Sequence, residues 1–403
     1  MTAEDITALN SQKVAPEMQL LLACAHKKLS PTNTKRIIGL CHNSLDWPHF
    51  LLLVNRHRVM PLVWHSLKSI DNLSIPTDIR EVLNNRAKKD LLKAFEQAAA
   101  LTHLIKCLEG DDIRVLSLKG PVLAIQAYET LKLRHTGDLD LLVEPEDLWA
   151  ADHILQDCGY LRTIPDYPLT SGQAAAYMKI RKDFSYTHPK TNIRVELHWR
   201  LCQNRYLFPL SINQLWPTRE FISLGTTRVA AIPRRELLLY LCAHGAHTGW
   251  FRLKWLCDIA ELTGVDHVND TPLVFSRAEE LGVTRMLAQG LILSHQLLDT
   301  PLPASLSTEI HPDRTVQSMV SQAIQALSND EHYWSADNTP VSWMATQVLY
   351  RMKLRTDIRY KYHNFNFYTL WRDEVQTIHL PKLLSPLYFL LSLFFWFISL
   401  FKR

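Results

Sequence analysis

Apolar residues recur at helical spacing through the first hundred residues, in PEMQLLLACAHKKL (Pro16 to Leu29), WPHFLLLVNRHRVMPLVWHSL (Trp47 to Leu67) and LLKAFEQAAALTHLIKCLEG (Leu91 to Gly110). Breaks fall at SPTNT (Ser30 to Thr34) and SIPTD (Ser74 to Asp78), where Ser or Thr precedes a helix-forming run as an N-cap does, and Gly110 is a C-terminal stop. The period then changes. IRVLSLKG (Ile113 to Gly120) reads as a short strand meeting a glycine turn, and PVLAIQAYET places Pro121 at the first position of a helix. DLDLLV (Asp138 to Val143) opens a second strand, and a helix runs from about Pro145 to Cys158. DFSYTHP and IRVELHWRL flank PKTN with the spacing of a hairpin. From Pro233 the chain turns helical again, most strongly in RRELLLYLCAHGAHTGWFRLKWLCDIAELTG (Arg234 to Gly264).

Composition agrees with a mostly helical chain that carries one modest sheet: 47% of residues are hydrophobic and only 12 of 403 are Gly. With 44 Lys+Arg against 40 Asp+Glu, the net charge of +4 gives no compositional argument for nucleic acid as a partner. The seven cysteines lack CxxC spacing and sit among apolar neighbours, as reduced core thiols do, and MTAEDITALN has neither the basic nor the apolar part of a signal peptide. Both point to a cytoplasmic protein. At the other end LLSPLYFLLSLFFWFISLF (Leu383 to Phe401) has no charged residue and approaches the roughly 20 residues of a bilayer-crossing helix. Contact with a membrane, docking in a groove of the protein and a true span are its three readings. The expectation is membrane contact of some kind, beside the basic and aromatic run from Leu349 to Glu374, whose charge could sit at an anionic membrane surface.

Alternation decides what the two aspartates of DLDLLV do. Residues i and i+2 of a strand share a face, so Asp138 and Asp140 point together while Leu139, Leu141 and Val143 point into the core. The same counting in IRVELHW buries Ile193, Val195, Leu197 and Trp199 and leaves Glu196 on the polar face with Arg194 and His198. If the two strands pair, Asp138, Asp140 and Glu196 converge. Three crowded carboxylates repel unless cations neutralise them, and oxygen ligands suit Mg2+ or Mn2+. Two such ions about 4 Å apart clamp the attacking and leaving oxygens of a phosphoryl transfer. The turn at Gly120 would offer backbone N–H groups to a phosphate, Lys119 a charge, and Arg134 either a bidentate phosphate contact or a salt bridge to Asp138 or Asp140.

With those residues in view, the chain resembles the nucleotidyltransferase superfamily with the polymerase-β-like palm, and more narrowly the bacterial family of uncharacterised nucleotidyltransferases. LKGPVLAIQAY, LRHTGDLDLLV, VELHWRL and LLLYLCAHGAHTGWFRLKWLCDIAEL carry the likeness, over roughly residues 101 to 265. The resemblance implies an α+β protein, with a small mixed-sheet palm at 101–225 between a helical N-terminal region at 1–100 and a helical domain at 226–380, and an apolar terminal helix at 381–403. It implies metal-dependent transfer of an NMP from an NTP to an acceptor the chain does not name, with Asp138 and Asp140 on the metals at the triphosphate. Glu196 would hold the metal beside the acceptor hydroxyl and help activate it. Many members have a serine at the glycine turn. This chain has Lys119-Gly120-Pro121, so Lys119 or Arg134 would take over the phosphates. In the later helices, Lys254 and His247 are candidates to reach phosphate or base. A zinc site from His244, His247 and Cys242 or Cys257 competes, as does a plain Lys254–Asp258 ion pair. Two other readings of the whole chain stay open: a palm that has become a binding module at a membrane, and a nucleotide-sugar glycosyltransferase using its D-x-D on a diphosphate.

Overall fold

The computed structural model describes residues 15–264, 271–302, 313–328, 341–367, 378, 380–384, 387, 390, 391 and 394. Helices α1 (Pro16–Cys24), α2 (Pro31–Cys41), α3 (Trp47–His57), α4 (Met60–Lys68) and α5 (Thr77–Gly110) come first. Their ends follow the local chemistry. The Ser30 hydroxyl accepts from Asn33 N–H ahead of Pro31, and the Asp46 carboxylate accepts from His49 N–H ahead of Pro48. The long apolar run Trp47 to Leu67 is two helices because Arg58 adopts a left-handed conformation between them (φ 55°).

Strand β1 (Val115–Ser117), α6 (Gly120–Tyr128), β2 (Leu139–Val143) and α7 (Leu148–Asp157) follow. Next are β3 (Leu161–Ile164), α8 (Ser171–Ile180), β4 (Asp183–Thr187), β5 (Arg194–His198), the single turn α9 (Ile212–Leu215), β6 (Glu220–Leu224) and β7 (Thr227–Ala231). The remaining described helices are α10 (Arg234–His247), α11 (Leu253–Leu262), α12 (Thr271–Leu281), α13 (Thr284–Leu298), α14 (Arg314–Ser328), α15 (Val341–Lys353) and α16 (Ile358–Phe367).

The chain divides into two compact units, each discontinuous in sequence. The first takes residues 1–99, 119–137 and 233–354 and is helical. Its core runs through α10, where Leu237 to Ala243 are all buried, so this helix is apolar on every side. Trp250 is fully buried against Gly245 of α10 and Gly290 of α13; a Cβ at Gly245 would fall well inside contact distance of the indole. Cys242 and Cys257 are buried here as core residues.

The second unit takes residues 100–118, 138–232 and 355–403 and contains the whole sheet. The strand order is β3-β4-β5-β2-β1-β7-β6. β2 runs parallel to β5 and antiparallel to β1, β1 runs parallel to β7, and the outer pairs β3·β4 and β6·β7 are antiparallel. The architecture is α+β with a mixed sheet, as expected, but with seven strands where periodicity reveals four. β3, β6 and β7 are the additions. β3 is largely exposed and has no apolar alternation to betray it, whereas β6 and β7 close on Gly225, whose φ of 61° suits a tight hairpin turn.

On the apolar face of the sheet Val195 and Leu197 lie opposite Tyr186 and Phe184, and all four are fully buried. Phe184 meets Trp199 edge-on at 5.1 Å and Tyr177 of α8 at 5.5 Å. Near the chain end, Ile378, Leu380 and Leu391 pack against Ala176 of α8. Leu383, Leu387, Leu390 and Phe394 are exposed. Among the described residues no helix is long and apolar enough to cross a membrane. Most of the apolar run 383–401 lies outside the described residues, as do its expected membrane contacts.

Candidate active site

Register brings the acidic residues of the sheet together. β2 and β5 are neighbours with Asp140 opposite Glu196, and Asp183 of β4 lies opposite His198 of β5. Residues opposite each other share a face, and Glu196 and His198 are two apart, so Asp140, Glu196, His198 and Asp183 all project from one side of three adjacent strands. The other side of the same strands holds the aromatic core, which fixes the register: a slip of one residue would drive the carboxylates into it.

The side chains meet. His198 Nε2 is 3.2 Å from Asp140 Oδ1 and 3.2 Å from Glu196 Oε2, with Asp183 Oδ2 at 3.8 Å. Lys182 Nζ donates to Glu196 Oε2 at 3.2 Å and forms a very close pair with Asp183. Asp140 and His198 are buried, while Glu196 and Asp183 are partly exposed, so the cluster has an open edge. Donor atoms of Asp140, Glu196 and His198 lie within 4.8 Å of one another. Asp138, one residue before β2 and half-buried, stands outside that set.

The charges explain one another. Burial opposes ionisation of Glu196, yet the Lys182 ammonium and the His198 ring outweigh it and hold the carboxyl well below the usual carboxylate range. Burial likewise opposes the Lys182 ammonium, but Asp183 and Glu196, with Asp140 behind them, keep it charged above the ordinary lysine value. Burial and Lys182 push the His198 ring down, while its hydrogen bonds to Asp140 and Glu196 and the charge of Asp183 more than restore it, so its pKa is raised. Three carboxylates are thus balanced by cations the chain itself supplies. Asp140, Glu196 and His198 could hold a divalent metal ion once the His198 ring gives up its proton: two carboxylates and an imidazole in mutual reach.

The remaining predicted residues belong to the first unit. Lys119 precedes α6, with Nζ 3.4 Å from His244 Nδ1 and 5.1 Å from the centre of the Tyr240 ring. Gly120 has φ 62°, a conformation that favours glycine, and its carbonyl accepts from Arg134 Nη1 at 3.3 Å. Arg134 is buried and grips Asp258 of α11 with both ends of its fork, Nε to Oδ1 at 2.8 Å and Nη2 to Oδ2 at 3.0 Å. Tyr128 Oη donates to the same carboxylate at 3.0 Å. Of the two readings of Arg134, the structure shows a salt bridge, with Asp258 in place of Asp138 or Asp140. Lys254 and His247 are partly exposed on α11 and α10, and the His247 carbonyl accepts from Arg351 Nε at 3.0 Å. Among the described residues, no group of three potential metal donors includes His244, His247, Cys242 or Cys257, so the zinc alternative for those helices has no support.

Sequence reasoning overlooked His198, Lys182 and Asp183 as members of the site. The signal for His198 was its i+2 spacing from Glu196. Counting the hairpin back from PKTN would have placed Asp183 opposite it, with Lys182 one residue further.

A mixed sheet that presents acidic side chains on adjacent parallel strands, with helices before and after it in the chain, defines an α+β protein with a carboxylate cluster on its sheet. The chain belongs to the family of uncharacterised nucleotidyltransferases, whose pattern matches residues 43–299. That match covers the glycine turn, both aspartates, Glu196, Arg134, His247 and Lys254. No curated protein and no solved structure matches the chain.

Proposed function

We propose that the protein transfers a nucleoside monophosphate from an NTP to an acceptor hydroxyl or phosphate, with release of pyrophosphate. The observation that carries this reading is the register pair Asp140–Glu196 on neighbouring parallel strands, completed by His198 on the same face. Asp140, Glu196 and His198 would hold Mg2+ or Mn2+, with Asp138 joining at the entrance to β2. The metal, when bound, neutralises phosphate charge and polarises the phosphoryl oxygens.

The residues of the chain do the rest. Glu196 stays anionic because Lys182 and His198 stand beside it, so it orients an acceptor hydroxyl by taking its hydrogen bond. Lys182 carries a positive charge next to the carboxylates and can follow the charge that develops on a phosphate oxygen. Asp183 anchors that ammonium. The buried aromatic face behind the strands keeps these groups fixed relative to each other, which is the preorganisation a transfer reaction needs. Lys119 and the Gly120 turn remain the proposed phosphate contacts, and Lys254 and His247 the proposed contacts to phosphate or base.

The test is a screen of the purified chain with each NTP, Mg2+ or Mn2+ and candidate acceptors, reading labelled pyrophosphate, with a parallel arm reading UDP from UDP-sugars. Pyrophosphate release that falls at least about a hundredfold in Glu196→Gln is expected. Release of UDP alone would replace the reading with glycosyl transfer. NTP and metal binding unchanged in both Asp138→Asn and Glu196→Gln would leave a binding module that does not use these carboxylates.

A further inference from the structure

A second cluster of metal-binding side chains stands in the sheet-containing unit, away from the carboxylates in composition and in the elements that carry it. His103 and Cys107 are four apart on α5, one turn of the same helical face. Cys158 is the C-terminal cap of α7, held there by its N–H to the Ile154 carbonyl at 2.9 Å. The next residue, Gly159, turns the chain at φ 87°, with its N–H on the Gln156 carbonyl at 2.8 Å, so the cysteine is fixed by the backbone on both sides.

The donor atoms of these three side chains lie within 4.8 Å of one another. Cys107 Sγ is 3.8 Å from His103 Nε2. In a tetrahedron with Zn–S of about 2.3 Å and Zn–N of about 2.0 Å, a sulfur and a nitrogen stand about 3.5 Å apart and two sulfurs about 3.8 Å. The His103–Cys107 spacing needs only a small contraction, and the two pairs that include Cys158 close from no more than 4.8 Å. His103 is exposed and both cysteines are partly exposed, so an ion can enter and a fourth, solvent position stays open.

We propose that His103, Cys107 and Cys158 form a site for a borderline-soft divalent ion, zinc foremost, that fastens α5 to the end of α7. Its two sulfurs and one imidazole distinguish it from the oxygen-rich cluster around Asp140, which suits Mg2+ or Mn2+. Binding releases two thiol protons to solvent and changes no oxidation state. The site does not depend on the nucleotidyl-transfer reading.

Cobalt is the probe. The full chain, purified reduced and metal-free, is titrated with Co2+ while the thiolate-to-cobalt charge-transfer absorption and the visible bands of tetrahedral cobalt are followed. Saturation at one equivalent is expected, with loss of the bands on adding Zn2+. Cys107→Ser and Cys158→Ser should each abolish the charge-transfer band, His103→Ala should weaken cobalt binding at least about tenfold, and Asp140→Asn should leave the band intact. On the wild-type chain, which avoids any folding defect of a variant, Zn2+ should shield Cys107 and Cys158 from alkylation as read by peptide mass. Absence of the band, its persistence in either serine variant, or unchanged alkylation with Zn2+ would each overturn the proposal.

Discussion

At the scale of single residues the site is a balance of charges, and Lys182 is the residue that sets it. Its ammonium neutralises Glu196 and Asp183 at the place where a metal would carry positive charge. Lys182→Met takes the ammonium away from Glu196 and Asp183, and like charges at this spacing destabilise the fold. The variant should melt below wild type without metal, and added Mn2+ should raise its melting temperature by more than it raises that of wild type. Equal metal-induced shifts in the two proteins, measured by thermal denaturation, would mean that Lys182 does not share its place with the ion. His57 illustrates the opposite case, a histidine kept neutral. It is fully buried, and its Nδ1 accepts from Leu253 N–H at 3.1 Å, satisfying a free donor at the start of α11. Burial, then the Arg56 and Arg252 charges, lower its pKa from 6.5 to about 3. Between those values the unfolded chain binds a proton that the folded chain does not, so stability is present above 6.5 and is lost as pH falls through the window. Wild type should lose more melting temperature from about pH 7 to about pH 5 than His57→Asn does. Parallel pH profiles would show that His57 protonates freely in the fold.

At the scale of elements, the buried fork between Arg134 and Asp258 joins the segment before β2 to α11 within the helical unit, and ties back to the Gly120 carbonyl at the head of α6. Arg134→Ala leaves Asp258 buried with Tyr128 as its one hydrogen-bond partner among the described residues. Such a loss costs about 3–5 kcal/mol, readable in urea unfolding. A variant of wild-type stability with weaker NTP binding would instead make Arg134 a phosphate ligand. The same residue shows where sequence reading stops. A carboxylate partner for Arg134 was one of two readings open in the sequence, but the partner lies 124 positions away on a helix whose placement no local pattern encodes. The face that Asp140 and Glu196 share was legible because alternation is a local property, and their pairing followed once hairpin and strand were set side by side. The parallel register itself was not, since no turn links β2 directly to β5. His198 was placed on the correct face but read as an incidental polar residue, because a buried histidine leaves no mark in periodicity. The exposed strand β3 escaped for the converse reason, having no buried side to alternate with.

For the molecule as a whole, the sheet with its carboxylate face belongs to one unit, and the candidate residues Lys119, Gly120, Arg134, His247 and Lys254 to the other. The nucleotidyltransferase family covers residues from both. The proposed metal site lies on the sheet alone, where Asp140, Glu196 and His198 would hold a divalent ion. The measurement that tests this most directly is Mn2+ binding by electron paramagnetic resonance, on wild type and on Asp140→Asn and Glu196→Gln proteins shown by circular dichroism to be folded. Saturable binding in wild type that weakens at least about tenfold in each variant is predicted. Binding of equal strength in all three, or none in wild type with NTP present, would contradict the site.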